Sequence, residues 1–108
     1  MHSFKIKSRI WIETENGMFL GNGRVQLLQA IIETGSLSNA AKSLKMSYKK
    51  AWNLVDSVNK NAAQEVVKTS TGGKEGGGAI VTDYGKSLIQ KFEKLNAETI
   101  AFLNEKQF

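Results

Sequence analysis

Between Lys42 and Lys60 the chain carries five lysines, Lys42, Lys45, Lys49, Lys50 and Lys60, against one acid, Asp56. Ser47, Tyr48, Lys49, Lys50 and Asn53 fall inside this run. These ammonium, hydroxyl and carboxamide groups suit a polyanion whose base edges must also be read. A lysine donates to guanine O6 and N7, an asparagine pairs with an adenine edge, and hydroxyls bond phosphate oxygens. The spacing assigns Lys49 or Lys50 to guanine, Asn53 to adenine, and Ser47 and Tyr48 to phosphate. Lys42 and Lys45 add unspecific attraction, and Ser38 completes the expected DNA-binding set. The competing explanation is a solvated charged helix face.

Other chemistries find little support. Histidine occurs once, as His2, cysteine is absent, and no serine has an evident base nearby, so a Ser-His or thiol mechanism is disfavoured. Glu93, Glu98 and Glu105 stand among lysines, as on a solvated helix. The run Gly72-Gly73-Lys74-Glu75-Gly76-Gly77-Gly78 suggests a phosphate loop, but that motif needs Ser or Thr after the lysine and a helix to follow. Gly21-Asn22-Gly23 fails the dinucleotide fingerprint because Gln26 stands where the third glycine belongs. The expectation is therefore a protein that is not an enzyme and uses no cofactor or metal. The glycine-rich loop has a different use: its slim backbone can approach a phosphate strand, and Lys74 adds charge there.

Composition agrees with a small soluble domain. The chain has 108 residues, 41 % of them hydrophobic, with 15 Lys and Arg against 10 Asp and Glu. That length is enough for one core without metal or disulfide staples. The positive charge is localised, since Asp83 to Phe108 holds four lysines balanced by four acids. The N-terminus lacks a signal-peptide stretch and no run reaches membrane-spanning length, so a cytoplasmic location is expected.

These groups must be held by a specific set of elements. Phe4, Ile6, Ile10 and Ile12 alternate with polar neighbours, the period of a strand. Asn16-Gly17 then predicts a turn, with Met18 to Leu20 returning as partner strand. Val25, Leu28, Ile31 and Ile32 predict a helix from Arg24 that ends at Gly35. Ser36 or Ser38 caps a short second helix containing Ala40, Ala41 and Leu44, and Ser47 caps a third. In that third helix Ala51, Trp52, Leu54, Val55 and Val58 are expected to point inward. Two helices joined by so short a turn have helix-turn-helix spacing. Val66, Val67 and Thr69, the glycine-rich loop, and Ala79 to Val81 form a further hairpin. Thr82 or Asp83 caps the last helix, where Leu88, Phe92, Leu95, Thr99 and Phe102 make a near-heptad seam expected to join two subunits.

The expected architecture is α+β and mainly helical, a winged helix-turn-helix in one domain spanning residues 1–108. Residues 1–20 form an N-terminal hairpin, 24–60 the helical core with the helix-turn-helix, 66–82 the wing and 83–105 a long C-terminal dimerisation helix. Three stretches carry a family resemblance. Met46-Ser47-Tyr48-Lys49-Lys50-Ala51-Trp52 resembles the start of the recognition helix in the DNA-binding domain of ModE molybdate-responsive regulators. Thr71 to Ala79 resembles the same family's wing, and Gly35-Ser36-Leu37-Ser38 with Ala40-Ala41 is similar to a run shared with LysR-type regulators. The resemblance implies a homodimer joined through its last helix, binding a pseudo-palindromic operator in double-stranded DNA. It carries DNA binding onto Ser47, Tyr48, Lys49, Lys50 and Lys74. It does not carry over molybdate binding, which the family places in modules after this domain. The alternatives are a winged-helix protein-interaction module and an accessory nucleic-acid-binding protein without strong sequence preference.

Overall fold

In the computed structural model, which describes residues 3–70 and 78–108, eight elements follow one another. They are β1 (Ile12–Thr14), β2 (Gly17–Leu20), α1 (Asn22–Thr34), α2 (Leu37–Ser43), α3 (Tyr48–Asn61), β3 (Val67–Thr69), β4 (Ala79–Val81) and α4 (Asp83–Asn104). The order is that expected of a winged helix preceded by a hairpin, and the fold is α+β and mainly helical.

The three central helices begin and end where local chemistry stops them. Gly35 closes α1 with φ 68°, its N–H donating to Ile31 O, a left-handed cap that glycine adopts without steric cost. Ser36, rather than Ser38, is the cap of α2, its Oγ accepting from Asn39 N at 3.1 Å. The turn to α3 is a Schellman closure: Lys45 N donates to Lys42 O at 3.1 Å and Met46 N to Ala41 O at 3.0 Å. Lys45 takes φ 57° there, so a side chain occupies a conformation that usually falls to glycine. Ser47 then caps α3, its Oγ accepting from Lys50 N at 3.0 Å.

The core lies where these helices cross. Leu27, Leu28 and Ile31 of α1 meet Ala40 and Ala41 of α2 and Ala51, Val55 and Val58 of α3. Ala40 and Ala51 are fully buried, and their small side chains allow α2 and α3 to approach closely. Val66, Val67, Ala79 and Val81 close the core from the β3–β4 side, and Ile89 and Phe92 of α4 cover it. The antiparallel β3–β4 pair is in register, Val67 opposite Val81 and Thr69 opposite Ala79. One further bond, Ala79 N to Gly35 O at 3.0 Å, ties it to the end of α1.

Two expectations need correction. The strand read over Phe4 to Ile12 is realised only from Ile12; residues 3–11 have no regular structure. Strand β2 is four residues long and turns into α1 at Gly21, so it offers no backbone partner to the earlier residues. Ile6 instead shares an apolar recess with Ile100 and Leu103 of α4. The second correction concerns the seam. Phe92 is 3 % exposed and belongs to the subunit's own core, with Leu88 packed against it, whereas Leu95 and Phe102 stay exposed at 49 % and 58 %. A helix that must cover its own core gives its first turns to that task, leaving only the later part of the seam, with Thr99 half-buried, free for a partner.

Candidate nucleic-acid interface

Helix α3 divides its circumference into three parts. Ala51, Val55 and Val58 point into the core. Tyr48, Lys49, Lys50 and Asn53 are all exposed, as the spacing predicts. Trp52, expected inside, is 48 % exposed and lines one shallow recess with Tyr48, Lys49 and Asn53. Residues four apart share a helix face, so an outward Tyr48 requires an outward Trp52; its bulk suggested burial, and the periodicity was the better guide.

The electrostatics leave this face positive. Among the described residues the single ion pair is Lys60 Nζ to Asp56 Oδ2 at 2.8 Å, which joins the one acid of α3 to the lysine at its far end. Lys49 and Lys50, in the first turn, have no acidic partner among those residues. Lys42 and Lys45, at the end of α2 and in the turn, are exposed beside them. Ser38 sits half-buried in the first turn of α2, and the Ser47 hydroxyl, although it accepts the capping bond, retains its proton for an outside acceptor. Lys74 lies outside the described residues.

The two flanks of α3 are held differently. On one side Asn59 bonds to the base of the β3–β4 hairpin: its Oδ1 accepts from Val66 N at 2.8 Å and Val67 N at 3.1 Å, while its Nδ2 donates to Val67 O at 3.0 Å. Sequence reading missed this residue, because an asparagine near the end of a polar helix face looks like any solvated one. Thr82 completes the anchorage, its Oγ1 donating to Glu65 O at 2.7 Å and its N–H to Val66 O at 2.9 Å. Gly85 allows α4 to pass, since a Cβ there would stand 2.7 Å from both Val66 O and Val81 Cγ1. On the opposite flank stands the β1–β2 hairpin, with Asn16 Nδ2 donating to Asn61 Oδ1 at 3.2 Å. Arg24 Nη1 fastens that hairpin to α1 by donating to Met18 O at 2.6 Å and Phe19 O at 3.2 Å.

An exposed cationic helix with two aromatic side chains, carried on a short turn and flanked by two hairpins, has the charge and shape to meet a polyanion. The chain is 36 % identical over 98 residues to the molybdenum transport protein ModE of Azotobacter vinelandii, covering 91 % of this chain and 36 % of that protein. It is 38 % identical over 84 residues to the DNA-binding transcriptional dual regulator ModE of Escherichia coli K12, covering 78 % of this chain and 32 % of that one. The chain is a homologue of the ModE transcriptional regulators. It spans about a third of the length of the curated relatives it matches. No family model matches the sequence. Among solved structures, the full-length LysR-type regulator LysG of Corynebacterium glutamicum aligns with a TM-score of 0.51 at 26 % identity, over 74 % of this chain and 27 % of that chain. The ModE-like sequence and the LysR-like fold thus agree on a winged-helix architecture. Among the described residues no helix is long and apolar enough to cross a membrane.

Proposed function

We propose that this ModE-like chain is a transcription regulator that binds double-stranded DNA sequence-specifically, with α3 in the major groove and the β3–β4 hairpin as a wing on the sugar-phosphate backbone. The observation that carries this reading is the face of α3: Tyr48, Lys49, Lys50, Trp52 and Asn53 exposed together, with Lys49 and Lys50 free of acidic partners among the described residues. A major groove admits a helix of this diameter, and lysine and asparagine are residue types that read its base edges. Lys42, Ser47 and Ser38 belong to the backbone-contacting set, together with Lys74 of the wing loop. The role is that of a regulator and not of an enzyme, with residues 1–108 forming one DNA-binding unit in the cytoplasm.

The operator is read by two copies. The exposed later part of α4, Leu95, Thr99 and Phe102, supplies the matching surface, and a two-fold pair places recognition helices about 34 Å apart on successive major grooves. Molybdate does not bind within these residues: a selective oxyanion site needs converging donors shielded from water.

Binding-site selection from random duplex followed by fluorescence anisotropy tests the reading. Lys49→Ala should relax base preference at one position of each half-site, while Lys42→Ala should weaken all sequences alike and lower the salt slope by about 0.9. A Leu95→Asp, Phe102→Asp double variant should sediment as a folded monomer. Equal binding of every duplex by the parent sinks the sequence-specific reading, and a monomeric parent at micromolar concentration sinks the dimer. Molybdate-selective heat in titration calorimetry, absent with sulfate at equal ionic strength, overturns the exclusion of molybdate.

A further inference from the structure

The hairpin flank of α3 holds a cleft of about 570 Å³ that the reading above does not use. Its walls come from four parts of the chain: Arg9 and Trp11 before the hairpin, Met18 on β2, Arg24 at the start of α1, and Met46 with Lys50 at the start of α3. Trp11 and Met18 remain 49 % and 44 % exposed, although both are large and apolar. Arg9 is exposed with no acidic partner among the described residues, and the neighbouring carboxylate, Glu13, accepts from Trp11 Nε1 at 2.7 Å. Arg24 holds the cleft wall through its two bonds to the β2 carbonyls and leaves its positive charge at the site.

We propose that this cleft is a second DNA-backbone contact, seating the sugar-phosphate strand on the flank of α3 opposite the wing. The inference rests on α3 entering the major groove. A helix with its side chains is about 10–12 Å across and the groove about 12 Å wide, so a seated helix fills it, and whatever stands beside the helix meets the two bordering strands. The wing base, bonded through Asn59, stands on one flank, and the hairpin, bonded through Asn61, stands on the other. Lys50 belongs to α3 and to this cleft at once, so the strand on its side of the groove must run along the cleft mouth. Arg9 then pairs with a phosphate, and the exposed Trp11 and Met18 pack against deoxyribose, covering apolar surface that is otherwise wet. The hairpin becomes the counterpart of the wing, and each half-site is gripped from both sides.

The test compares the parent with Arg9→Ala, Arg9→Lys and, as an equal loss of charge on α4 outside the cleft, Lys91→Ala. Each is measured by anisotropy across a salt series and by hydroxyl-radical footprinting on a selected operator. Arg9→Ala should bind about five- to tenfold more weakly, with a salt slope lower by about 0.9, and should lose backbone protection on the side of each half-site away from the wing. Its ranking of operator sequences should match the parent's, and Arg9→Lys should restore most of the affinity. If Arg9→Ala binds and protects as the parent does, or loses no more than Lys91→Ala, the second contact is wrong while groove reading by α3 stands. A parent that binds no duplex removes both.

Discussion

The two hairpins that flank α3 are built to different standards. The wing base is buried and bonded: Val66 and Val67 are at most 1 % exposed, Asn59 satisfies both their amides, and α4 crosses so closely that only glycine fits at position 85. The β1–β2 side sends Phe19 and Leu20 into the same core, at 8 % and 2 % exposed, but beyond them it is held by one arginine and one surface asparagine pair and carries half-exposed aromatic and thioether surface. An element whose position fixes the geometry of another needs buried bonds, since each unmet one costs a full desolvation penalty. An element completed by its partner can leave its surface open. The wing base is therefore fixed by buried hydrogen bonds as well as packing, whereas the first hairpin is fixed mainly by packing of Phe19 and Leu20 and leaves its outer surface open.

Substitutions of graded severity can break this contrast. The largest effect is expected at Gly85→Ala, where the new methyl meets a carbonyl oxygen and a valine methyl that are themselves packed. Urea denaturation should show a loss of about 3 kcal/mol, net of the gain in helix propensity, with an unchanged m value. Asn59→Ala comes next. It strands two buried amides and should cost about 2 kcal/mol, and because it frees the wing base from α3 it should also weaken DNA binding beyond what lost stability explains.

On the other flank the costs should be smaller. Arg24→Ala removes two bonds from a guanidinium to backbone carbonyls and should lower the melting temperature by about 4 °C, roughly 1 kcal/mol. Asn16→Ala, which breaks only an exposed amide pair, should stay within about 0.5 kcal/mol of the parent. Polar bonds of the first hairpin as costly to remove as those of the wing base would abolish the contrast between the two flanks. Hydrogen exchange slower in β2 than in β3 would do the same.

How far the sequence could be read depended on distance along the chain. Ser47 as a helix cap, Gly35 as a stop, and the exposed Tyr48, Lys49, Lys50 and Asn53 were legible, and the caps Ser36 and Thr82 were each narrowed to two neighbours, because caps and helix faces are set by residues within a turn of one another. So were the localised positive charge and the order of elements. The tertiary structure alone decided what depends on which surface finds a partner. The alternating pattern from Phe4 to Ile10 has strand periodicity, yet a strand needs a second backbone, and β2 ends too soon to provide it. Phe92 and Leu95 read alike on a heptad seam, but the core reaches one and stops short of the other. Asn59 and Gly85 carried no local signal at all, because their roles exist only where α3, β3, β4 and α4 meet. Local sequence sets backbone preference and the side each residue faces. Burial and bonding between residues far apart in the chain are properties of the packed whole, fixed when all the elements settle against one another.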